Sequence, residues 1–523
     1  MIYLSVPTRL IITAVILTGC VSNANLGQKP SDGEDDSESA DTESADTAST
    51  DTDSAGTAPA DTESTDTESA DTVSADTDEG TEGSMTEPGR CARVIPEAGA
   101  SMGVEWAFHC TTAAMETVIG AGADASQNVL FGLTFRGWDD TAGERLEIGD
   151  RIVEHVDGAE TILVKLNPDG ELLWTRLIDG PGNQWLEFAG VCGDTLVVQL
   201  SGDPGTLDQD GGPLPEGHYL AAFGPDGELR WTRAIPVQEP DGHMSVFDLA
   251  CDSQGNLYAA GRFRDGIDLG GGMIPGAVSD GWIASFDADG EHRWSRSINA
   301  SGSFAGVGSL ELTPDGGVVV AGSFDETIDL GSGERTADFG DDAFVARYDG
   351  DGNPLWDLQI GPDGLQYAAG VAVAPDGTLA LTGVFLDTIE LGTDGYSNVF
   401  PDQIPDKHGT NYDAFISRLD ANGSYLWSEH VGTMLNDDLG QPAFAPDGAL
   451  IIPGSRTDGP FFATYVGQEA MVYAPLPASA DLSPIGDQHL LLSSNVGGET
   501  VDLLGVELEG LGGTDALVAR LIR

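Results

Sequence analysis

The feature that most constrains this chain is a ten-residue phrase that returns about every sixty residues. It reads "DGELLWTRLI" around Trp174, "DGELRWTRAI" around Trp231, "DGEHRWSRSI" around Trp294, "DGNPLWDLQI" around Trp356 and "NGSYLWSEHV" around Trp427. A repeat at this spacing belongs to architectures assembled from one supersecondary unit added after another. A well-preserved copy of the unit runs "VAVAPDGTLALTGVF", "DTIELG", a variable loop, and "DAFISRLDANGSYLWSEHVG", between Gly370 and Gly432. Apolar residues alternate with period two inside each run, and "PDG", "SQGN", "DADG" or "DANG" separates the runs. Each unit therefore predicts four short antiparallel strands joined by tight turns. Four such strands per unit of this length are the pattern of a β-propeller blade.

The tryptophans mark five units. A compact sixth lies between Gln441 and Leu476, and a seventh begins at "SADLSPIGDQHLLLSS" and stops at "DALVARLIR" after three strands. "GVEWAFHC", Gly103 to Cys110, reads as a fourth strand that lacks the other three. The expected fold is all-β: a seven-bladed β-propeller of four-stranded antiparallel blades, closed by pairing the N-terminal strand around Trp106 with the last blade. Closure removes an unpaired sheet edge. With Asp169-Gly170, Asp351-Gly352 and Asn422-Gly423 as two-residue hairpin loops, Lys165 faces Trp174, Arg347 faces Trp356 and Arg418 faces Trp427. By repeat equivalence Arg520 faces Trp106. Opposed side chains touch, so each pair is expected to place a cation over an indole, worth about 0.5 to 1 kcal/mol.

The chain has 523 residues, 87 of them acidic against 22 basic, for a net charge of -65. That balance excludes nucleic acid as a partner, because neutralising phosphates needs a Lys/Arg surface. Residues 1–20 read as an export signal: Arg9, then the short apolar run from Leu10 to Thr18, then Gly19 and Cys20. From Val21 to Pro88 the composition shifts to Asp, Glu, Ser, Thr and Ala, with copies of "DTESA". Such a segment cannot bury enough surface to offset chain entropy, so 21–88 is expected to be a disordered acidic tether, and 89–523 the propeller. "LTGC", Leu17 to Cys20, resembles the lipobox of bacterial lipoproteins. That resemblance implies acyl chains on Cys20, attachment to the membrane through them and, because Val21 is not Asp, the outer membrane, on its periplasmic or surface side.

Four cysteines remain. Cys91 and Cys110, close in sequence, form the expected disulfide, while Cys192 and Cys251, read as equivalent repeat positions, fit a second bridge and neighbouring buried thiols equally. No C-x-x-C, G-x-S-x-G, P-loop or dinucleotide glycine pattern occurs, and the eight histidines show no metal spacing. The chain thus reads as noncatalytic, with no cofactor expected. Calcium is the one cation to weigh. Asp280, Asp342, Asp413 and Asp515 precede each third strand, and their repetition favours a turn cap over a ligand. "LDQDGG", Leu207 to Gly212, resembles half of a calcium loop but lacks the distal Glu. A binding face is suggested by aromatic residues on connections that emerge on one side. They are Trp185 and Tyr367 at equivalent repeat positions, Trp138 with Asp139 and Asp140, and the long loop carrying Tyr396, Phe400, Lys407 and His408.

The repeat G-x-F-x-x-x-I-D-L-G followed by D-A-F-V-A-R-x-D-x-D-G-N-x-L-W resembles the bacterial seven-bladed propeller repeat family (SBBP-type) over roughly Met115 to Arg523. That family implies an architecture and supplies no catalytic residues. A weaker similarity is to quinoprotein-like propellers and the outer-membrane assembly lipoprotein built on the same repeat. Their turn, Asp-x-x-Thr-Gly-x-x-x-Trp, is one residue longer than Asp287 to Trp294 here. Together these readings give an expected role: an outer-membrane-anchored lipoprotein whose propeller is a binding platform for an envelope protein or polysaccharide. An assembly scaffold subunit, or a quinone- or calcium-dependent propeller enzyme, is the alternative.

Overall fold

The computed structural model describes residues 89–523 apart from 96–103, 112–114, 137–144, 155–158, 180–182, 203–204, 208–212, 240–241, 277–278, 338–339, 362–363, 398–411, 433–436, 457–458, 474–479, 486–488, 498–499, 505, 510–513 and 523. The expected signal peptide, Cys20 and the acidic tether therefore lie outside the described residues. Among the described residues every regular element is a strand, and no helix is long and apolar enough to cross a membrane.

The strands assemble in chain order into four-stranded antiparallel sheets. Sheet I is Met115–Ala123, Val129–Arg136, Ala159–Leu166 and Leu172–Asp179. Sheet II is Gln184–Cys192, Thr195–Gly202, Gly217–Phe223 and Leu229–Ile235. Sheet III is His243–Cys251, Leu257–Arg264, Asp280–Phe286 and His292–Ile298. Sheet IV is Ala305–Leu312, Val318–Phe324, Asp342–Tyr348 and Pro354–Ile360. Sheet V is Gly364–Val373, Leu379–Leu391, Asp413–Leu419 and Tyr425–Val431. In sheet VI the first strand is split into Asp438–Leu439 and Ala443–Phe444, followed by Leu450–Arg456, Gly459–Val466 and Glu469–Tyr473. Sheet VII takes Ala480–Ile485, His489–Gly497 and Thr514–Ile522 from the C-terminus and Val104–Thr111 from the N-terminus. There Trp106 lies opposite Arg520 and Cys110 opposite Ala516. A further strand, Gly89–Val94, was not expected. It extends sheet VII with Cys91 opposite Cys110, and the two are disulfide-bonded.

Alternating apolar residues leave both faces of each sheet to be buried, and consecutive sheets do this face to face. Sheets III and IV bury Tyr258, Ile283 and Ile298 of one against Val307, Val320 and Phe344 of the other. Equivalent layers join I to II, II to III, IV to V, V to VI and VI to VII. Another packs Phe108, Leu491 and Val518 of sheet VII against Phe131 and Val164 of sheet I. Fully burying one such side chain is worth about 1.5–3 kcal/mol.

The turns between third and fourth strands correct one expectation. They are three-residue loops: the Gly352 N–H bonds the Asp349 carbonyl and the Asp349 N–H bonds the Asn353 carbonyl, with the same pattern from Asn167, Gly224, Asp287 and Asp420. Their glycines sit at φ between +76° and +82°, the left-handed position that closes a loop of this kind. The expected facing pairs nonetheless occur, Lys165 with Trp174, Arg347 with Trp356 and Arg418 with Trp427. A one-residue bulge just before each tryptophan, at Leu173, Leu355 and Leu426, offsets the extra loop residue.

The cation-over-indole expectation is also corrected. The indole N–H of Trp174 and the Lys165 ammonium both donate to the carbonyl of Pro225, in the turn of the next sheet, at 2.9 and 3.1 Å. Trp356 and Arg347 share Ala421 at 3.1 and 2.7 Å, and Trp106 and Arg520 share Pro168 at 2.9 and 3.1 Å. Trp231 and Trp294 reach Ala288 and Gly350 in the same way. A carbonyl has two lone pairs and can take both donors. Among the described residues the cation-over-ring contacts fall elsewhere, as with Arg418, 4.6 Å from the Phe444 ring. The repeated tryptophan is thus a latch between consecutive sheets. It also explains the turn glycine, since a Cβ on Gly352 would lie 2.7 Å from the Trp294 ring.

The "I-D-L-G" phrase forms a small hairpin between second and third strands, Ile267–Asp268 with Met273–Ile274 and Thr327–Asp329 with Glu334–Thr336. Its two apolar residues are buried, Ile267 and Leu269 or Ile328 and Leu330. Its aspartate caps the turn, Asp268 accepting from the N–H groups of Gly270 and Gly272.

Candidate binding face

Antiparallel pairing brings the start of the first strand, the end of the second, the start of the third and the end of the fourth to one end of each sheet. In sheet II, Gln184 and Gly217 both lie opposite Gly202, and His218 opposite Ile235. The longer connections leave from this end. Trp185 and Tyr367 sit here at the same register position, opposite Ser201 and Val384 respectively. They belong to sheets II and V, which are not neighbours, so the structure puts them at one end without joining them in one contact.

Each has its own surroundings. The Arg136 guanidinium lies 5.5 Å from the Trp185 ring. Tyr367 donates its phenol to Asp341 at 2.5 Å and meets Tyr412 edge to face at 6.3 Å. Burial, and then the Asp341 carboxylate that accepts its proton, push the Tyr367 phenol above its ordinary range. Tyr396 does not join this set. It docks its phenol on the Ser428 carbonyl at 2.9 Å and its ring 5.7 Å from His430, covering its own sheet. Trp138, Asp139, Asp140, Phe400, Lys407 and His408 lie outside the described residues.

Sequence reasoning missed a polar cluster at the same end between sheets II and III. The His218 and His243 rings meet at 5.5 Å; His243 Nε2 is 2.9 Å from Ser245 Oγ, and the Ser201 hydroxyl donates to Glu187 at 2.5 Å. Burial, then the neighbouring His243, hold the His218 imidazole below its usual value. The two histidines are far apart in sequence, and only sheet packing brings them together.

The repeated third-strand aspartates also differ from expectation. Asp280, Asp342, Asp413 and Asp515 are buried, and three of them reach across to the fourth strand rather than only along their own turn. Asp413 pairs with His430 at 2.7 Å, Asp342 accepts from Gln359 at 2.5 Å, and Asp515 lies 3.6 Å from His109. Among the described residues no group of three or more His, Cys, Asp or Glu side chains is placed to hold a metal ion; 208–212, most of the half-loop considered for calcium, lie outside them.

Cys192 and Cys251, left open between bridge and thiols, are disulfide-bonded across sheets II and III. They are not at equivalent positions. Cys251 pairs with Leu257, and the residue that pairs with its counterpart Leu196 is Val191. The odd offset is required: residues at equivalent positions point the same way, and only an offset of one turns both sulfurs into a single gap.

No family model matches this chain. It is 28% identical over 229 residues to the regulatory protein FlaEY of Caulobacter vibrioides, an overlap covering 41% of this chain and 22% of that protein. The chain therefore spans about a fifth of the length of the curated relative it matches. Among solved structures it is similar to a puromycin hydrolase (16% identity, 76% of this chain and 52% of that one, TM-score 0.38). It is also similar to Sqt1 from Chaetomium thermophilum (11% identity, 80% and 93%, TM-score 0.33), and to a Drosophila Plexin A in complex with Semaphorin 1b (9% identity, 82% and 86%, TM-score 0.34).

Proposed function

We propose that the sheets are the blades of a closed, seven-bladed SBBP-type propeller, carried on an acidic tether as an outer-membrane lipoprotein acylated at Cys20. In this reading the loop-bearing end is a noncatalytic platform for an envelope protein or polysaccharide. The observation that carries it is the repeated placement of an aromatic side chain with a polar companion at one end of the sheets, Trp185 with Arg136 and Tyr367 with Asp341. Rigid sheets carrying variable loops suit recognition, and aromatic anchors supply most of the binding energy at such surfaces.

Two further observations favour a platform over the alternatives. The bulges at Leu355 and Leu426 interrupt the outermost strands of sheets IV and V, and Gly205–Leu207 already pairs with the last strand of sheet I, which blunts these edges against strand addition by a scaffold partner. Much of the scarce positive charge is already committed inside the molecule, in pairs such as Lys165 with Asp124, Arg335 with Asp357 and Arg520 with Glu105. Neutral or cationic partners are therefore favoured over anionic polymers.

The test is capture of envelope proteins and polysaccharides by the tagged chain, with Trp185→Ala and Tyr367→Ala beside it. Loss of capture at unchanged thermal stability supports the platform. Undiminished capture by both variants refutes the assignment of this face.

A further inference from the structure

The Trp185 end of the binding face carries polar groups that the fold leaves without partners. Arg136, at the exposed end of its strand in sheet I, holds its guanidinium 5.5 Å from the Trp185 ring and, among the described residues, makes no hydrogen bond or ion pair. In a chain with 22 basic residues against 87 acidic ones, a cation left unpaired is unusual. Trp185 lies opposite Ser201, and Ser201 opposite His218 on its other side, so the three side chains share one face of sheet II across two strand spacings, roughly 10 Å. Glu187 joins them through the one-residue bulge that it forms in the first strand. It accepts the Ser201 hydroxyl on Oε1 at 2.5 Å. Beside Ser201, His218 Nδ1 is buried with no hydrogen-bond partner, and a polar atom left in that state is costly. The His243 ring, 5.5 Å from His218 and held by Ser245 at 2.9 Å, closes the far side.

Charge and hydrogen-bonding capacity narrow what fits here. An anion drawn to Arg136 would lie against the Glu187 carboxylate, and a cation drawn to Glu187 would lie against Arg136. A hydroxyl suits both, since it accepts from a guanidinium and donates to a carboxylate or an imidazole lone pair. The indole beside them supplies a flat apolar surface. A sugar ring offers the two together, C–H groups on its faces and hydroxyls at its edge. We propose that Arg136, Trp185, Glu187 and Ser201 form a subsite for a neutral saccharide chain, its ring packed against the Trp185 indole and its hydroxyls bridging Arg136 and Glu187. The inference rests on the platform reading above and names the ligand of its sheet I and II sector. Tyr367, on sheet V, is no part of it.

The test is isothermal titration calorimetry of the full chain with maltohexaose, cellohexaose and mannohexaose, beside hexagalacturonate and a deacetylated chitosan hexamer as anionic and cationic counterparts. At least one neutral chain should bind, and more tightly than either charged one. Arg136→Gln and Trp185→Ala should each weaken that binding on the order of tenfold at unchanged melting temperature. Glu187→Gln should weaken it too and at the same time raise affinity for hexagalacturonate, a change of selectivity that lost packing would not produce. Arg90→Gln, at an exposed arginine of the strand added to sheet VII, should match the unmodified chain. Should Trp185→Ala fail to fold, Arg136→Gln decides, because that position is exposed. Binding of no neutral chain, preference for a charged one, or neutral binding untouched by Arg136→Gln would each overturn the subsite. Envelope protein still captured through Trp185 or Tyr367 in that event would leave the platform standing without its saccharide; loss of that capture as well would remove both.

Discussion

Two glycines of sheet IV allow the tryptophan latch to be weighed against backbone strain alone. Gly316 and Gly352 both close three-residue turns, each donating its N–H at 2.9 Å to the residue that opens the loop. Their φ values are +86° and +78°. A Cβ on Gly316 meets nothing within 4 Å, whereas on Gly352 it lies 2.7 Å from two ring carbons of Trp294. That indole cannot easily retreat, because its N–H is held by the Gly350 carbonyl at 3.0 Å. Gly316→Ala therefore carries only the left-handed penalty, about 1 kcal/mol. Gly352→Ala adds overpacking of about 1–3 kcal/mol, for a total of about 2–4 kcal/mol. Urea unfolding followed by tryptophan fluorescence measures both at a common m-value. Equal losses, or a larger one at Gly316, would refute the latch as the reason for the turn glycine.

Replacing Cys192 and Cys251 by Ser should remove about 2–4 kcal/mol, checked by the same unfolding curves, with peptide mapping showing the Cys192–Cys251 bridge in the unmodified chain. Acid should weaken the turns: Asn353 beside Asp349 holds its carboxyl below the usual value, so its contribution exists above about pH 4 and is lost as pH falls. Asp349→Asn keeps an acceptor, as Asn167 does at its own turn, and should flatten the melting temperature against pH below that point. His218, held low by burial and by His243, contributes stability that is lost as pH falls below about 6.5. His218→Gln should remove that slope, and a variant with the same slope would place its origin elsewhere.

Much of the strand order was legible because it rests on local signals. Period-two runs between "PDG"-type turns located the strands, and the orphan phrase around Trp106 named its partner at Ala516 to Leu521, which the register bears out. Even the facing of Arg347 and Trp356 came through, although by a compensation between a longer turn and a bulge that no local rule announces. What was not legible depends on neighbouring sheets. The acceptor of the Trp106, Trp174, Trp231, Trp294 and Trp356 indoles is a carbonyl in the next turn, the contact between His218 and His243 needs two sheets side by side, and Asp248 finds Gln441 at a sequence separation of 193. The third-strand aspartates were visible as a repeat, but their partners, two histidines and a glutamine (His430, His109 and Gln359), do not recur in every copy of the repeat and so did not point to them.

Joining of the chain's two ends decides the closed-propeller reading most directly. Ala107 lies opposite Ala519 in the strand pair between Val104–Thr111 and Thr514–Ile522. In the full chain carrying Ala107→Cys and Ala519→Cys, mild oxidation followed by peptide mapping should yield a 107–519 disulfide in nearly all molecules, with the two native bridges intact. Free thiols at both positions in a folded, normally melting protein would contradict it.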